Sequence, residues 1–279
     1  MDRFKVLTLA GLMALGAVPA AHAADLLPPT PQFEPYPEPI ESSGWYLRGD
    51  VGVGNTIQGK VSSNFAGGAV PPGFTLNERH LDDSALAGIG VGYEFNNWFR
   101  ADITGEYRTS ARFQAIESAA LGGGTSFDTY NGSVQSSVVL ANGYVDFGHW
   151  HGFTPYIGAG IGGAFNQVAS LTDIGAGATG VGAPGNGGLG FAPTKSSTSL
   201  AWALMAGVSF DVTHNLKLDI SYRYLNMGDA QSGVIACTTA CVGESQKYHL
   251  ASNDIRIGAR WMFGGEEAPP PPPPLITKY

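Results

Sequence analysis

Charge is scarce in this chain of 279 residues: Asp, Glu, Lys and Arg together make up 14% of it, and the formal net charge is -8. A net charge of this sign argues against nucleic acid as a partner, since phosphate binding needs a basic face. It also disfavours simple electrostatic adsorption to anionic lipid. Cysteine is nearly missing. The two present, Cys237 and Cys241, are too few for a disulfide-stapled scaffold and close enough to form one local disulfide. Beyond the N-terminus there is no long apolar run, which argues against helical membrane spans. Catalytic constellations are lacking too: no Ser/His/Asp arrangement is legible, and the Gly-rich stretch 158–163 does not lead into a helix as a phosphate loop does. His149-Trp150-His151 has no neighbouring Cys or carboxylate cluster to complete a metal site and reads as an interfacial turn. The expectation is a protein with no enzymatic activity, no cofactor and no metal.

Glycine, with 40 residues, and a two-residue alternation of apolar and polar side chains are what the sequence has in abundance. The alternation is clearest at 254–263. There Ile255, Ile257, Ala259, Trp261 and Phe263 fall on one face of a strand, and Asp254, Arg256, Gly258, Arg260 and Met262 on the other. About ten residues is the length a tilted strand needs to cross a bilayer.

Both ends of the chain read as segments outside the folded body. Arg3 and Lys5, the apolar stretch 6–18 and Ala21-His22-Ala23 predict a secretory signal peptide over residues 1–23. Residues 24–43 carry six prolines and predict an extended periplasmic linker, since proline supplies no backbone donor for a sheet. Residues 264–279, with an unbroken proline run at 269–274, predict a matching C-terminal tail. Between them, 44–263 is one domain.

Within that domain the alternation predicts eight strands, at about 44–54, 84–95, 99–109, 135–147, 153–166, 199–211, 216–225 and 254–263. The connections at 96–98, 148–152 and 212–215 are short turns, while the other four are long loops. Strict alternation of short and long connections is the pattern of an outer-membrane barrel, short turns periplasmic and long loops extracellular. The fold class is therefore all-β, an eight-stranded antiparallel transmembrane β-barrel. An even strand number puts both proline-rich ends on the periplasmic side.

A secreted ligand-binding barrel, with its apolar face turned inward, shares the same period. Aromatic residues favour the membrane reading, because Trp45, Phe95, Trp98, Phe99, Phe147, Phe153, Phe210, Trp261 and Phe263 all lie at the short-turn ends, as an interfacial girdle does. The opposite face then lines the lumen. It carries Arg48, Asp50, Glu94, Arg100, Asp102, Glu106, Arg108, Asp146, Asp211, Lys217, Asp219, Arg223, Asp254, Arg256 and Arg260. Near-balanced signs let these charges pair and offset their desolvation. With Tyr144 they are expected to plug a barrel too narrow for open diffusion. The loop at 167–198, Gly/Ala-rich and nearly uncharged, is expected to be a solvated loop.

The signal peptide, the Ala-Asp mature start, the Gly-Trp-Tyr opening strand, the Thr-Pro-Tyr-Ile-Gly-Ala-Gly-Ile-Gly stretch and a final strand ending in Phe263 together resemble the small alphaproteobacterial outer-membrane barrels, the opacity-type and OmpA-type eight-stranded proteins. The resemblance covers residues 44–263. It implies that the last strand is the assembly signal read by the barrel-insertion machinery, with Arg256, Gly258, Trp261 and Phe263 at the signal positions. In OmpA-type proteins a proline-rich linker leads on to a peptidoglycan-binding domain; here the run at 269–274 is followed by five residues, and non-covalent wall binding by such a domain is not expected. In some similar proteins an Ala-Asp start is joined covalently to peptidoglycan, which implies the same role for Ala24 and Asp25. The partners implied are outer-membrane lipid and lipopolysaccharide, the insertion machinery and peptidoglycan. The expected function is a structural barrel supporting envelope integrity, with surface-exposed loops; a narrow porin or a surface ligand receptor or adhesin is the alternative.

Overall fold

The computed structural model describes residues 44–65, 74–121, 124–176, 188–237 and 244–263. Residues 1–23, read above as a signal peptide, both proline-rich segments, Ala24, Asp25 and Cys241 lie outside the described residues.

Eight strands form a closed antiparallel ring. They are β1 (Gly44–Phe65), β3 (Ser84–Asn96), β4 (Phe99–Arg108), β6 (Gly124–Asp146), β7 (Phe153–Ala176), β9 (Lys195–Asp211), β10 (Leu216–Gln231) and β12 (Glu244–Met262). Each pairs with its neighbour in that order, and β12 returns to β1. The seam between first and last strands runs without a slip from Tyr46↔Met262 to Gly54↔Asp254. Four shorter strands, β2 (Phe74–Leu81), β5 (Ala111–Leu121), β8 (Leu189–Ala192) and β11 (Ala236–Cys237), belong to the same sheet. β5 pairs with the half of β6 far from the short turns, and β2 with β5; β8 pairs with the corresponding half of β7, and β11 with β8.

These additions correct the expectation of plain long loops. β6 spans 23 residues and β7 spans 24, about twice a transmembrane strand. The supposed loop at 167–198 is largely ladder: β7 runs on to Ala176, and β8 and β9 return beside it. A search for outward apolar residues passes over this region because its outward positions are polar. Thr129, Asn131, Ser133 and Gln135 of β6 point away from the lumen while Tyr130 and Val134 point into it.

At the other end, tight turns join β3 to β4, β6 to β7 and β9 to β10. Asn96 Oδ1 accepts from the Trp98 and Phe99 amides, and Thr213 Oγ1 from those of Asn215 and Leu216. Gly148 and Gly152 carry positive φ in the 147–152 turn, the backbone state glycine adopts without penalty.

Candidate functional site: a filled lumen inside an apolar wall

The pleat sorts the side chains. On the outer face Trp45, Val51, Val53, Ile89, Ile103, Ile161, Leu200, Leu204, Ile220, Ile255 and Ile257 are all exposed, Ile89 by as much as 75%. Most aromatic residues at the short-turn end are exposed as well, with Tyr93 and Phe99 half-buried, and they form a chain of contacts from β1 through β3 to β4. Trp45 meets Tyr93 at 5.3 Å, Tyr93 meets Phe95 at 5.1 Å, and Phe95 stacks on Phe99 at 5.4 Å. Trp150, in the 147–152 turn, contacts Phe153 at 6.2 Å, and His149 Nδ1 lies 3.4 Å from Asp211 Oδ2.

On the inner face the charges interlock in two groups. Nearest the short turns, Arg48 grips Asp50 (Nη2–Oδ1 2.7 Å) and reaches Asp102 at 2.8 Å, and Arg256 approaches Asp50 from across the seam at 2.9 Å. Arg260 holds Asp219 at 2.7 Å and Glu94 at 3.5 Å, while Ser209 donates to Asp219. Arg100, fully buried, pairs with Asp146 at 3.2 Å and lies between the rings of Tyr144 and Tyr156, 4.3 and 4.4 Å from their centroids. Farther from the turns, Arg108 binds Asp254 through two parallel hydrogen bonds of 2.8 and 3.0 Å. Arg223 bridges Glu106 and Asp254 at 2.7 and 2.6 Å.

Of the fifteen charged residues read from the sequence as lumenal, all except Asp211 and Lys217 are buried. Asp211 is exposed, a correction with a simple cause: it ends β9, where the strand passes into a turn and the ring no longer encloses it. Lys217, just past that turn, is half-buried and reaches Glu94 at 3.4 Å. In the last strand Arg256 and Gly258 point inward, and Trp261 and Phe263 point outward. Cys237 pairs through its backbone with Gly190, and the position of its intended partner Cys241 is outside the described residues.

Glycines make room for the rings that fill the lumen. A Cβ at Gly92 would fall 2.3 Å from Tyr46 Cζ, and one at Gly158 would fall 2.5 Å from Tyr144 Cδ1. Each tyrosine therefore lies flat against the backbone of the adjacent strand, where only a hydrogen atom intervenes.

Two features were not read from the sequence. From the level of Glu106 and Arg223 outward, Val134, Val138, Leu140, Val168, Leu171, Met205, Leu225, Met227, Tyr248 and Leu250 fill the inner face with an apolar plug, to which β5 adds Phe113. Its signal was present but ambiguous, because runs such as Val138-Val139-Leu140-Ala141 are apolar on both faces and carry no period. Beyond the plug stands a group of acids, Glu117, Asp128, Asp173 and Glu244, with no arginine or lysine paired to them among the described residues. Burial pushes the Asp173 carboxyl up to about 7, helped by the nearby charges of Asp128 and Glu244. Asp128 rises to about 6 for the same reasons, burial first and then Glu244.

A closed antiparallel barrel with ion pairs inside, exposed apolar side chains outside and an aromatic rim at its short-turn end is the architecture of a membrane-spanning β-barrel. No helix among the described residues is long and apolar enough to cross a membrane. The family model of the outer membrane protein beta-barrel domain matches residues 10–263, and the chain belongs to that family. An uncharacterized protein of Brucella abortus (strain 2308) is 35% identical over 236 residues, covering 76% of this chain and 77% of its own length. A putative adhesin of Rickettsia conorii is 29% identical over 225 residues, covering 78% and 81%. Among solved structures, the outer membrane protein OprG from Pseudomonas aeruginosa shares the fold with a TM-score of 0.50 at 14% identity, covering 80% of this chain and 98% of that one. The protein is therefore an outer-membrane barrel of a Gram-negative cell. Its short turns are periplasmic, and the extended ends of β6 and β7 with β2, β5, β8 and β11 are extracellular.

Proposed function

We propose that this protein is a sealed structural barrel that stabilises the outer membrane and carries a raised extracellular β-extension, and that it is not a channel. The observation that supports this is the filled lumen, in which paired arginines and carboxylates are capped by an apolar plug. Opening it for a solute would separate buried ion pairs, each break costing about 3–5 kcal/mol. Planar bilayers containing the purified barrel are expected to show no stable conductance steps; reproducible openings would end the proposal.

A second reading, contact with another surface, draws on one observation. Phe127, Ile174, Leu189, Phe191 and Val234 are exposed on the extracellular extension, far beyond the ten or so residues that span lipid. One relative carries the description putative adhesin. Replacing Phe127, Ile174 and Phe191 by serine is expected to reduce attachment of barrel-bearing cells to host cells or abiotic surfaces without changing barrel yield. Unchanged attachment would reject this role.

We also propose that the mature N-terminus tethers the barrel to the wall. Ala24-Asp25 followed by a proline-rich spacer supports this. Lysozyme-digested sacculi are then expected to release a form carrying a muropeptide on Ala24, whereas free Ala24 amines alone would exclude the tether. The loop disulfide Cys237–Cys241 belongs to the same set of proposals; a mass difference of two hydrogens on reduction is its test.

A further inference from the structure

The acids at the extracellular end differ from every other charged group in the lumen. Below the plug each buried carboxylate faces a guanidinium or an ammonium group. Above it four strands each contribute an acid: Glu117 from β5, Asp128 from β6, Asp173 from β7 and Glu244 from β12. Glu117 stands directly opposite Asp128 across the β5–β6 ladder, a like-charge pairing that destabilises a sheet unless something intervenes. Asp173 stands opposite Tyr130, one pleat from Asp128, and Tyr130 Oη reaches Glu244 Oε2 at 3.4 Å from the other side. Among the described residues the other titratable groups facing them are Tyr130 itself and Tyr248 of β12, which donates to Gln246; the described residues of β8 contribute none.

A separate observation singles out Asp173. It is only 8% exposed, and its Oδ1 is buried with no hydrogen-bond partner. An orphaned carboxylate oxygen in such a position is costly unless a donor arrives from outside the chain. Glu117 and Asp128 are half-exposed, so the group grades from an accessible rim to a buried floor.

We propose that this group is a binding site for an alkyl oligoamine, a flexible chain bearing several ammonium groups. Among the described residues no three acids converge closely enough to hold a metal ion. They are spread instead, with Cβ atoms about 5 Å apart for the directly opposed pair and about 7–8 Å for the diagonal one. That reach is comparable with the few methylenes between the nitrogens of an oligoamine. The surfaces beneath the acids suit the methylenes, because Phe113, Tyr130 and Tyr248 lie at the top of the plug and Phe113 packs on Tyr248 at 5.1 Å. An ammonium group against Asp173 Oδ1 supplies the missing donor, and a second between Glu117 and Asp128 relieves their opposition. Protons compete for the same oxygens.

The test is calorimetric titration of the folded barrel in detergent with spermidine, with Mg2+ and NaCl at matched ionic strength as controls. Saturable binding of spermidine is expected near pH 8, weakened at least tenfold near pH 5. Asp173→Asn is expected to weaken it at least tenfold. Glu117→Gln, at the half-exposed rim, serves as the second variant should the first fail to fold, with a loss of at least threefold expected. Absence of saturable spermidine binding near pH 8 overturns the proposal. So does an equal signal from Mg2+, or affinity unchanged in the folded variants.

Discussion

At the scale of single residues, the arginines of the lumen hold distant strands together. Arg108 of β4 reaches Asp254 of β12 and Glu106 beside it, and Arg223 of β10 shares both carboxylates. Arg108→Met leaves Asp254 with one guanidinium and Glu106 with a buried charge less well matched. A loss of about 3–5 kcal/mol is expected, read as a lower urea midpoint for the barrel refolded in lipid vesicles. Lys217→Met, at the half-exposed rim, is expected to cost no more than about 1 kcal/mol in the same assay. Equal losses at the two sites would show that burial is not what gives the Arg108 pairing its weight. Gly158→Val tests a different constraint, because its side chain has to displace the Tyr144 ring that Arg100 rests on. It is expected to lower the urea midpoint further than Gly105→Val, since a Cβ at Gly105 meets nothing within 4 Å.

At the scale of elements, the last strand illustrates how much the sequence discloses. The alternation from Asp254 to Phe263 identifies the membrane-spanning part of β12 and its two faces, because the outward residues are apolar and Asp254, Arg256 and Arg260 point inward to paired charges. The membrane-spanning parts of all eight strands were legible for the same reason. Their extracellular continuations were not, since water outside and an apolar plug inside reverse the pattern, as Tyr130 and Val134 show on β6. The acids Glu117, Asp128, Asp173 and Glu244 were illegible as a group because pairing across β5, β6 and β7, and the approach of β12 to Tyr130, gather residues far apart in sequence. Phe263 lies at the end of the seam, where its amide donates to the Trp45 carbonyl at 2.8 Å and its exposed ring lies at the periplasmic rim. Phe263→Ala is expected to lower the inserted fraction, measured as heat-modifiable barrel in the outer membrane, far more than deletion of residues 268–279. The reverse order would rule out the reading of β12 as the assembly signal.

At the scale of the whole molecule, the extracellular end carries the response to acid. The folded carboxyls of Asp128 and Asp173 titrate near about 6 and about 7, above their ordinary value of 3.8. They bind protons more tightly folded than unfolded, so their contribution to stability is complete below about pH 4 and is lost as pH rises through about 6 to 7. Amide exchange in β5, β8 and the extracellular half of β7 is expected to be slower at pH 5.5 than at pH 8, after correction for the intrinsic pH dependence of exchange. Identical protection would show that these acids are not shifted. The seam of β1 and β12 has a consequence in time. The strand that must close the ring is also the last to emerge, about two hundred residues after its mate, and the pairing of such distant segments is intrinsically slow. Until β12 arrives, β1 and β10 each present an unpaired ladder, and a chain halted anywhere before residue 244 has no arrangement that satisfies its backbone in lipid. The wall is complete, with its backbone groups satisfied for lipid, only once the two ends of the domain have met.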